Sequence, residues 1–109
     1  METKNAIIKS AIIEIEDHGI LTAWLNLDYG GGGQGFGGYA LQSNGWDEPG
    51  PNIAGLFIRR VLDTVGVREW NSLEGQTIRV KAEQAKIHEI GHIIKDDWFN
   101  PSEEFKNLK

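Results

Sequence analysis

Ile87-His88-Glu89-Ile90-Gly91-His92-Ile93-Ile94 can form a helix or a strand, and the two give different architectures. As a helix it would carry H-E-x-x-H, two histidines one turn apart holding zinc with Glu89 as general base. As a strand it sets His88 and His92 about 13 Å apart by the extended rise per residue, too far to share one ion. The preceding Ala82-Glu83-Gln84-Ala85-Lys86 are good helix formers, but the isoleucine-rich run itself favours extended chain. A metzincin pattern would also ask for Gly at Lys95 and His at Trp98, and neither is there. The strand reading places His88, Ile90, His92 and Ile94 on one face and Glu89, Gly91 and Ile93 on the other. No metal ligand is expected, and a small zinc hydrolase stands third among the functional readings.

Outward from this strand, Thr77-Ile78-Arg79-Val80-Lys81 alternates, with Ile78 and Val80 inward. Asn52 is an N-cap, and Ala54, Phe57, Ile58, Val61, Leu62 and Val65 follow at helical spacing to a terminal Gly66. This helix should lie across the sheet with Arg60 and Asp63 on its wet side and Arg59 at the boundary. Trp70 and Leu73 anchor a short helical turn. Residues 6–16 read as a strand with Ile13 and Ile15 opposite Glu14 and Glu16. Asp17-His18-Gly19 turns the chain into 20–27, which gathers Leu21, Ala23, Leu25 and Leu27 on one face. Residues 30–38 are expected to be a loop passing into a short strand at Tyr39-Ala40-Leu41, with polar loop over 42–51. An aromatic pair, Trp98-Phe99, and a helical turn begun by Pro101 end the chain. The order β-β-β-α-β-β describes one α+β domain over 1–109, an antiparallel sheet with one principal helix on it.

The 109 residues leave no room for a second core. With 39% hydrophobic and 25% charged residues the chain is ordinary globular material rather than a disordered one. A net charge of −5 argues against duplex nucleic acid, which needs clustered Lys and Arg. The absence of cysteine excludes disulfides and thiolate chemistry. No apolar run reaches the ~18 residues of a membrane span, and the first residues lack a signal-peptide apolar core, so a cytoplasmic location is expected.

Glycine is unusually frequent, with 14 copies and a cluster between Gly30 and Gly38. Gly33-Gln34-Gly35-Phe36-Gly37-Gly38 has G-x-G-x-x-G spacing, but no helix follows and no βαβ unit surrounds it, so a dinucleotide fold fails on context. No G-K-[ST] follows either. Exposed glycine N–H groups could still form an anion-binding nest. The alternative is that these glycines admit close packing under Trp24 or Trp46. Trp46 itself, in the 42–51 loop, is a candidate lid or partner contact. The ligand reading assigns Gly33, Gly35, Gly37 and Arg59 or Arg79 to phosphate, Phe36 or Tyr39 to ring stacking, and Gln34 and His92 to ring or ribose hydrogen bonds. The acidic tail, Asp96-Asp97 and Glu103-Glu104, reads as solvated surface.

The blocks Glu16-Asp17-His18-Gly19-Ile20-Leu21, Leu27-Asp28-Tyr29-Gly30-Gly31, Gln34-Gly35-Phe36-Gly37-Gly38-Tyr39-Ala40-Leu41 and Gly91-His92-Ile93-Ile94-Lys95-Asp96 with Trp98-Phe99 resemble a widespread family of small phage and prophage proteins. The resemblance runs through most of the chain. In that family the His88-Glu89 position is not reliably His-Glu, which counts against the zinc motif. It implies a host-cytoplasmic counter-defence factor, including those that sequester cyclic-nucleotide or cyclic-ADP-ribose-type immune signals. The first expectation is therefore a non-enzymatic, cofactor-free protein that binds such a ligand at 30–38. The second is an anti-CRISPR-like inhibitor of a host defence protein through Trp46 and the acidic tail. A homo-oligomer is expected, because exposed strand edges invite pairing.

Overall fold

The computed structural model describes residues 1–30, 32–41, 52–83 and 86–107. Six antiparallel strands form one sheet: β1 (Glu2–Ile15), β2 (Leu21–Asp28), β3 (Gly33–Gly37), β4 (Thr77–Glu83), β5 (Lys86–Gly91) and β6 (Trp98–Phe99). Their spatial order is β3-β2-β1-β4-β5-β6. Among the described residues two helices accompany the sheet, α1 (Ile53–Val65) between β3 and β4 and α2 (Pro101–Lys106) after β6, with a 3₁₀ turn at Trp70–Ser72. The expected α+β order therefore gains a sixth strand and a second helix. Among the described residues no helix is long and apolar enough to cross a membrane.

The core forms because alternate residues of each strand point to one side. Leu25 and Leu27 of β2, Ile78 and Val80 of β4, Phe36 of β3 and Phe99 of β6 are all buried there. The sheet curls about this face, so that Phe36 on one edge strand lies 6.2 Å from Phe99 on the other. Helix α1 closes the core with Phe57, whose ring sits 6.0 Å from Phe36 and 5.6 Å from Phe99. Its limits are local. The Asn52 side chain accepts from Gly55 N–H at 2.8 Å, and Gly66 ends the helix in the left-handed region at φ 92°.

Two bulges break the simple alternation. One falls between Ile8 and Ser10, where Lys9 is the extra residue against β2. The other pairs Lys81 with Glu89 but Ala82 with Ile87, leaving His88 as the extra residue. Ile87 and Ile90, three apart, thus both enter the core. His88 does not share a face with Ile90, His92 and Ile94 as strict alternation predicts. β5 also ends at Gly91, so His92 and Ile94 lie in the turn beyond it, and Ile94 is exposed.

The third strand is displaced from its expected place. The glycine segment is itself β3, and Tyr39-Ala40-Leu41 is not extended ladder. On α1 the roles of two arginines are exchanged. Arg60, expected in water, is folded toward α2, donating to Glu104 Oε1 at 3.0 Å and to the Trp98 carbonyl at 2.9 Å, with its guanidinium over the Phe99 ring. Arg59 is the exposed one, paired with Asp63 one turn on.

Candidate functional site

The outer face of the sheet, opposite α1, carries the residues that alternate with the core: Ser10 and Ile12 of β1, Trp24 and Asn26 of β2, Arg79 and Lys81 of β4, and Gly91 of β5. Cross-strand neighbours run Ile12–Trp24–Gly37 across three strands and Arg79–Gly91–Trp98 across three others. In each row the indole lies over glycine: Trp24 over Gly35 and Gly38, and Trp98 over Gly91. A Cβ at Gly35 would come 2.7 Å from Trp24 Cε3, and one at Gly38 would meet the same ring. A Cβ at Gly91 would come 2.6 Å from Trp98 Cε3. Glycine is needed at these places because the indole occupies the space a side chain would take. The alternative in which these glycines admit packing under Trp24 thus describes β3. Trp46 lies outside the described residues.

The paired backbone of β3 does not offer the successive converging N–H groups of an anion nest. Among the expected ligand residues, Phe36 is fully buried between Phe57 and Phe99 and has no face left for a ligand ring. Tyr39 packs on Phe57 at 6.2 Å and edge-on to Phe105 at 5.5 Å, with the Lys86 ammonium 5.5 Å from its centroid. Arg79 donates to the carbonyls of His92 and Lys95, both at 2.7 Å, and lies 4.8 Å from the Trp98 centroid. His92 Nδ1 accepts from the N–H groups of Ile94 and Lys95 at 3.0 Å. Arg79 and His92 together fasten the turn between β5 and β6. Arg59 lines a hollow with Leu62, Asp63, Val67 and Arg68, separate from the glycine strand.

Gly33, Gln34, Gly35 and Gly37 do come together, in a shallow groove of about 660 Å³ along the seam where β3 faces β5 without a described ladder. Trp24 and Lys86 complete its lining. A second hollow of about 390 Å³ shares Gln34 and continues to Lys4, Tyr29 and Glu83. Lys4 there pairs with Glu2 at 3.3 Å and stands over the Tyr29 ring, and Lys86, the lysine lining the first groove, stands over the Tyr39 ring. Sequence reasoning missed Lys86 because it lies beyond the chain's glycine cluster by some fifty residues, and missed Trp24 because its strand pattern reads as packing.

Of the acidic tail, Asp96 and Glu103 are exposed, as expected of solvated surface, while Asp97 and Glu104 are partly covered. Asp96 accepts from Trp98 Nε1 at 3.1 Å, Asp97 lies 3.7 Å from Arg60, and Glu104 binds Arg60. Among the described residues no cluster of His, Asp and Glu could hold a metal ion. Compared with protein-family models, with curated proteins and with solved structures, the chain finds no match.

Proposed function

We propose that this chain is a non-enzymatic binding protein that takes a small nucleotide-derived anion in the seam between β3 and β5. The observation that carries this reading is that Trp24, Gln34, Lys86 and the glycines of β3 line one open groove. An indole, an amide residue and glycine backbone along one groove suit a heterocyclic base, and a lysine in the same lining suits phosphate. The resemblance to small phage proteins supplies the setting, sequestration of an immune signal in the host cytoplasm. Sequestration needs only affinity, and the residues assigned here hold and orient rather than react.

A calorimetric screen with cyclic dinucleotides, ADP-ribose derivatives and nucleoside phosphates tests it. At least one should bind the wild type, and Trp24→Ala and Lys86→Ala should each weaken that binding about tenfold or more, the factor that corresponds to ~1.4 kcal/mol. Trp98→Ala should leave binding intact. No nucleotide binding, together with recovery of a stoichiometric host protein from infected cells, would replace this reading with that of a protein-directed inhibitor.

A further inference from the structure

β1 pairs with β4 through Glu2–Ile7 and with β2 from Ile7 onward, so its two ladders overlap only around Ile7. Its last bond toward β4 is the exchange of Ile8 with Gly75 and Gln76. From residue 9 to residue 15, no described strand covers the edge that faces away from β2. Among the described residues no backbone group meets the donors and acceptors there, and apolar side chains flank them on both faces: Ile12 is 40%, Ile13 42% and Ile15 63% exposed. Free edges of this kind template strand addition unless charge, proline or a covering element blocks them. Among the described residues a bulge at Lys9 lies at its near end, no proline interrupts it, and its charged residues are Lys9 and Glu14.

We infer that this edge pairs with the same segment of a second copy of the chain, joining two six-stranded sheets. In an antiparallel pair of identical strands with a two-fold axis perpendicular to the sheet, directly opposed residues share a face, so their numbers sum to an even value. A sum of 24 sets Ile12 against Ile12 on the outer face and Ala11 against Ile13 on the other. It also sets Ser10 against Glu14, and Ser10 Oγ already accepts from Asn26 at 2.7 Å, which leaves its O–H to donate to the carboxylate. Lys9 of each copy comes level with Ile15, between the partner's Glu14 and Glu16. The neighbouring even registers set Glu14 against the core residue Ile8 or against Ile12. The row Gly37–Trp24–Ile12, which stops abruptly at the open edge, then continues into its symmetry mate as one apolar band across both sheets. The occupant is thus self-complementary in register, charge and shape.

Sedimentation and cross-linking decide it. The wild type should sediment at twice its 12.1 kDa chain mass, with Ile12→Lys raising the dimer dissociation constant at least tenfold while keeping a native melt. Because the chain has no cysteine, single-cysteine variants give a clean register test that does not depend on the lysine variant folding. Ile12→Cys should form a covalent dimer under mild oxidation, since opposed residues lie about 4.5–5.5 Å apart between Cα atoms, within disulfide reach. Ile15→Cys should not, because the two copies of residue 15 would stand about 20 Å apart. A wild type that stays monomeric up to about 1 mM, or a dimer in which Ile15→Cys cross-links and Ile12→Cys does not, overturns the proposal.

Discussion

Trp24 and Trp98 stand near opposite edges of the same outer face, each over glycine of a neighbouring strand, yet one ring is enclosed and the other is not. Trp98 is gripped: Arg79 and Lys81 lie 4.8 and 4.4 Å from its ring centroid, and its Nε1 donates to Asp96. Trp24 has Gly35 and Gly38 beneath it but borders open grooves on its other sides. Glycine beneath an indole therefore marks a packing device in both places. What separates a structural ring from an available one is whether charged and backbone groups close its remaining surface. At the Trp98 end the guanidinium of Arg79 does so while also tying down the 92–97 turn. At the Trp24 end nothing comparable is present among the described residues, and the ring is 36% exposed.

The comparison breaks first at the core. If β3 were a pliant ligand loop, Phe36→Ala would scarcely change stability. As one of three mutually packed phenylalanines with Phe57 and Phe99, it should cost about 3–5 kcal/mol, the usual penalty for emptying a buried aromatic site. Chemical denaturation measures this directly. A loss below about 1 kcal/mol would return β3 to the status of a loop and remove the contrast between the two ends.

Arg60→Ala tests the enclosed end from beneath. The side chain joins α1 to Glu104 and to the Trp98 carbonyl, so its removal strands a charge and a backbone acceptor in a partly covered place. A cost of roughly 1.5–3 kcal/mol is expected for hydrogen bonds involving charged groups. Arg59→Ala, which removes only an exposed pair with Asp63, should stay within about 0.5 kcal/mol. Equal effects in thermal melts would mean that α2 and β6 do not brace the Trp98 end.

These contrasts also locate what can be read before folding. The limits of α1 were legible because Asn52 and Gly66 act on backbone within a turn of themselves. The β1–β2 hairpin was legible for the same reason, through Asp17-His18-Gly19 and the alternation of Leu21, Ala23, Leu25 and Leu27. β3 was not, since a glycine run becomes a strand only when an indole from another strand supplies the missing side-chain volume. The bulge at His88 is defined by the register of β4, and the inward turn of Arg60 by the arrival of α2, neither visible within the local sequence. At the groove, the glycines and Gln34 were legible by their concentration. Phe36 was not, because an aromatic beside glycine looks available until its strand is known to face the core. Arg79 and His92 have the chemistry of ligand groups, but carbonyls and N–H groups of the 92–97 turn occupy them.

Alanine at the two glycine seats sharpens the comparison further. Gly91→Ala pushes a methyl into a ring that Arg79, Lys81 and Asp96 hold in place, so overpacking of about 1–3 kcal/mol should appear. Gly35→Ala meets the same kind of contact at 2.7 Å, but Trp24 has room to swing, and the cost should be smaller by about 1 kcal/mol. Tryptophan fluorescence separates the cases: Gly35→Ala should shift the emission toward the solvent-exposed range, whereas Gly91→Ala should lower stability with little change in native emission. A reversed order would show that Trp24 is the ring held more firmly.

The smallest effect concerns acid. The open end keeps one anchor of its own at the β1–β2 turn, where Glu16 lines a hollow with Trp24 and Gly38. The His18 ring, 3.2 Å from its carboxylate, and the N–H groups of Ile20 and His18 hold the Glu16 carboxyl below its ordinary range, against a smaller opposing effect of burial. A carboxyl with a depressed folded-state pKa contributes stability that is full above its unfolded value and is lost as pH falls through the folded one. Glu16→Gln should therefore narrow the difference in melting temperature between neutral and acid solution, by a small amount because the group is exposed and screened. Trp24 emission should follow the same acid titration in the wild type and lose that component in the variant, while the Trp98 end, with no contact to this carboxyl among the described bonds, should contribute nothing to it. If Glu16→Gln leaves both the acid limb and the emission titration unchanged, the turn does not hold the Trp24 end, and the ring's placement rests on the glycines alone.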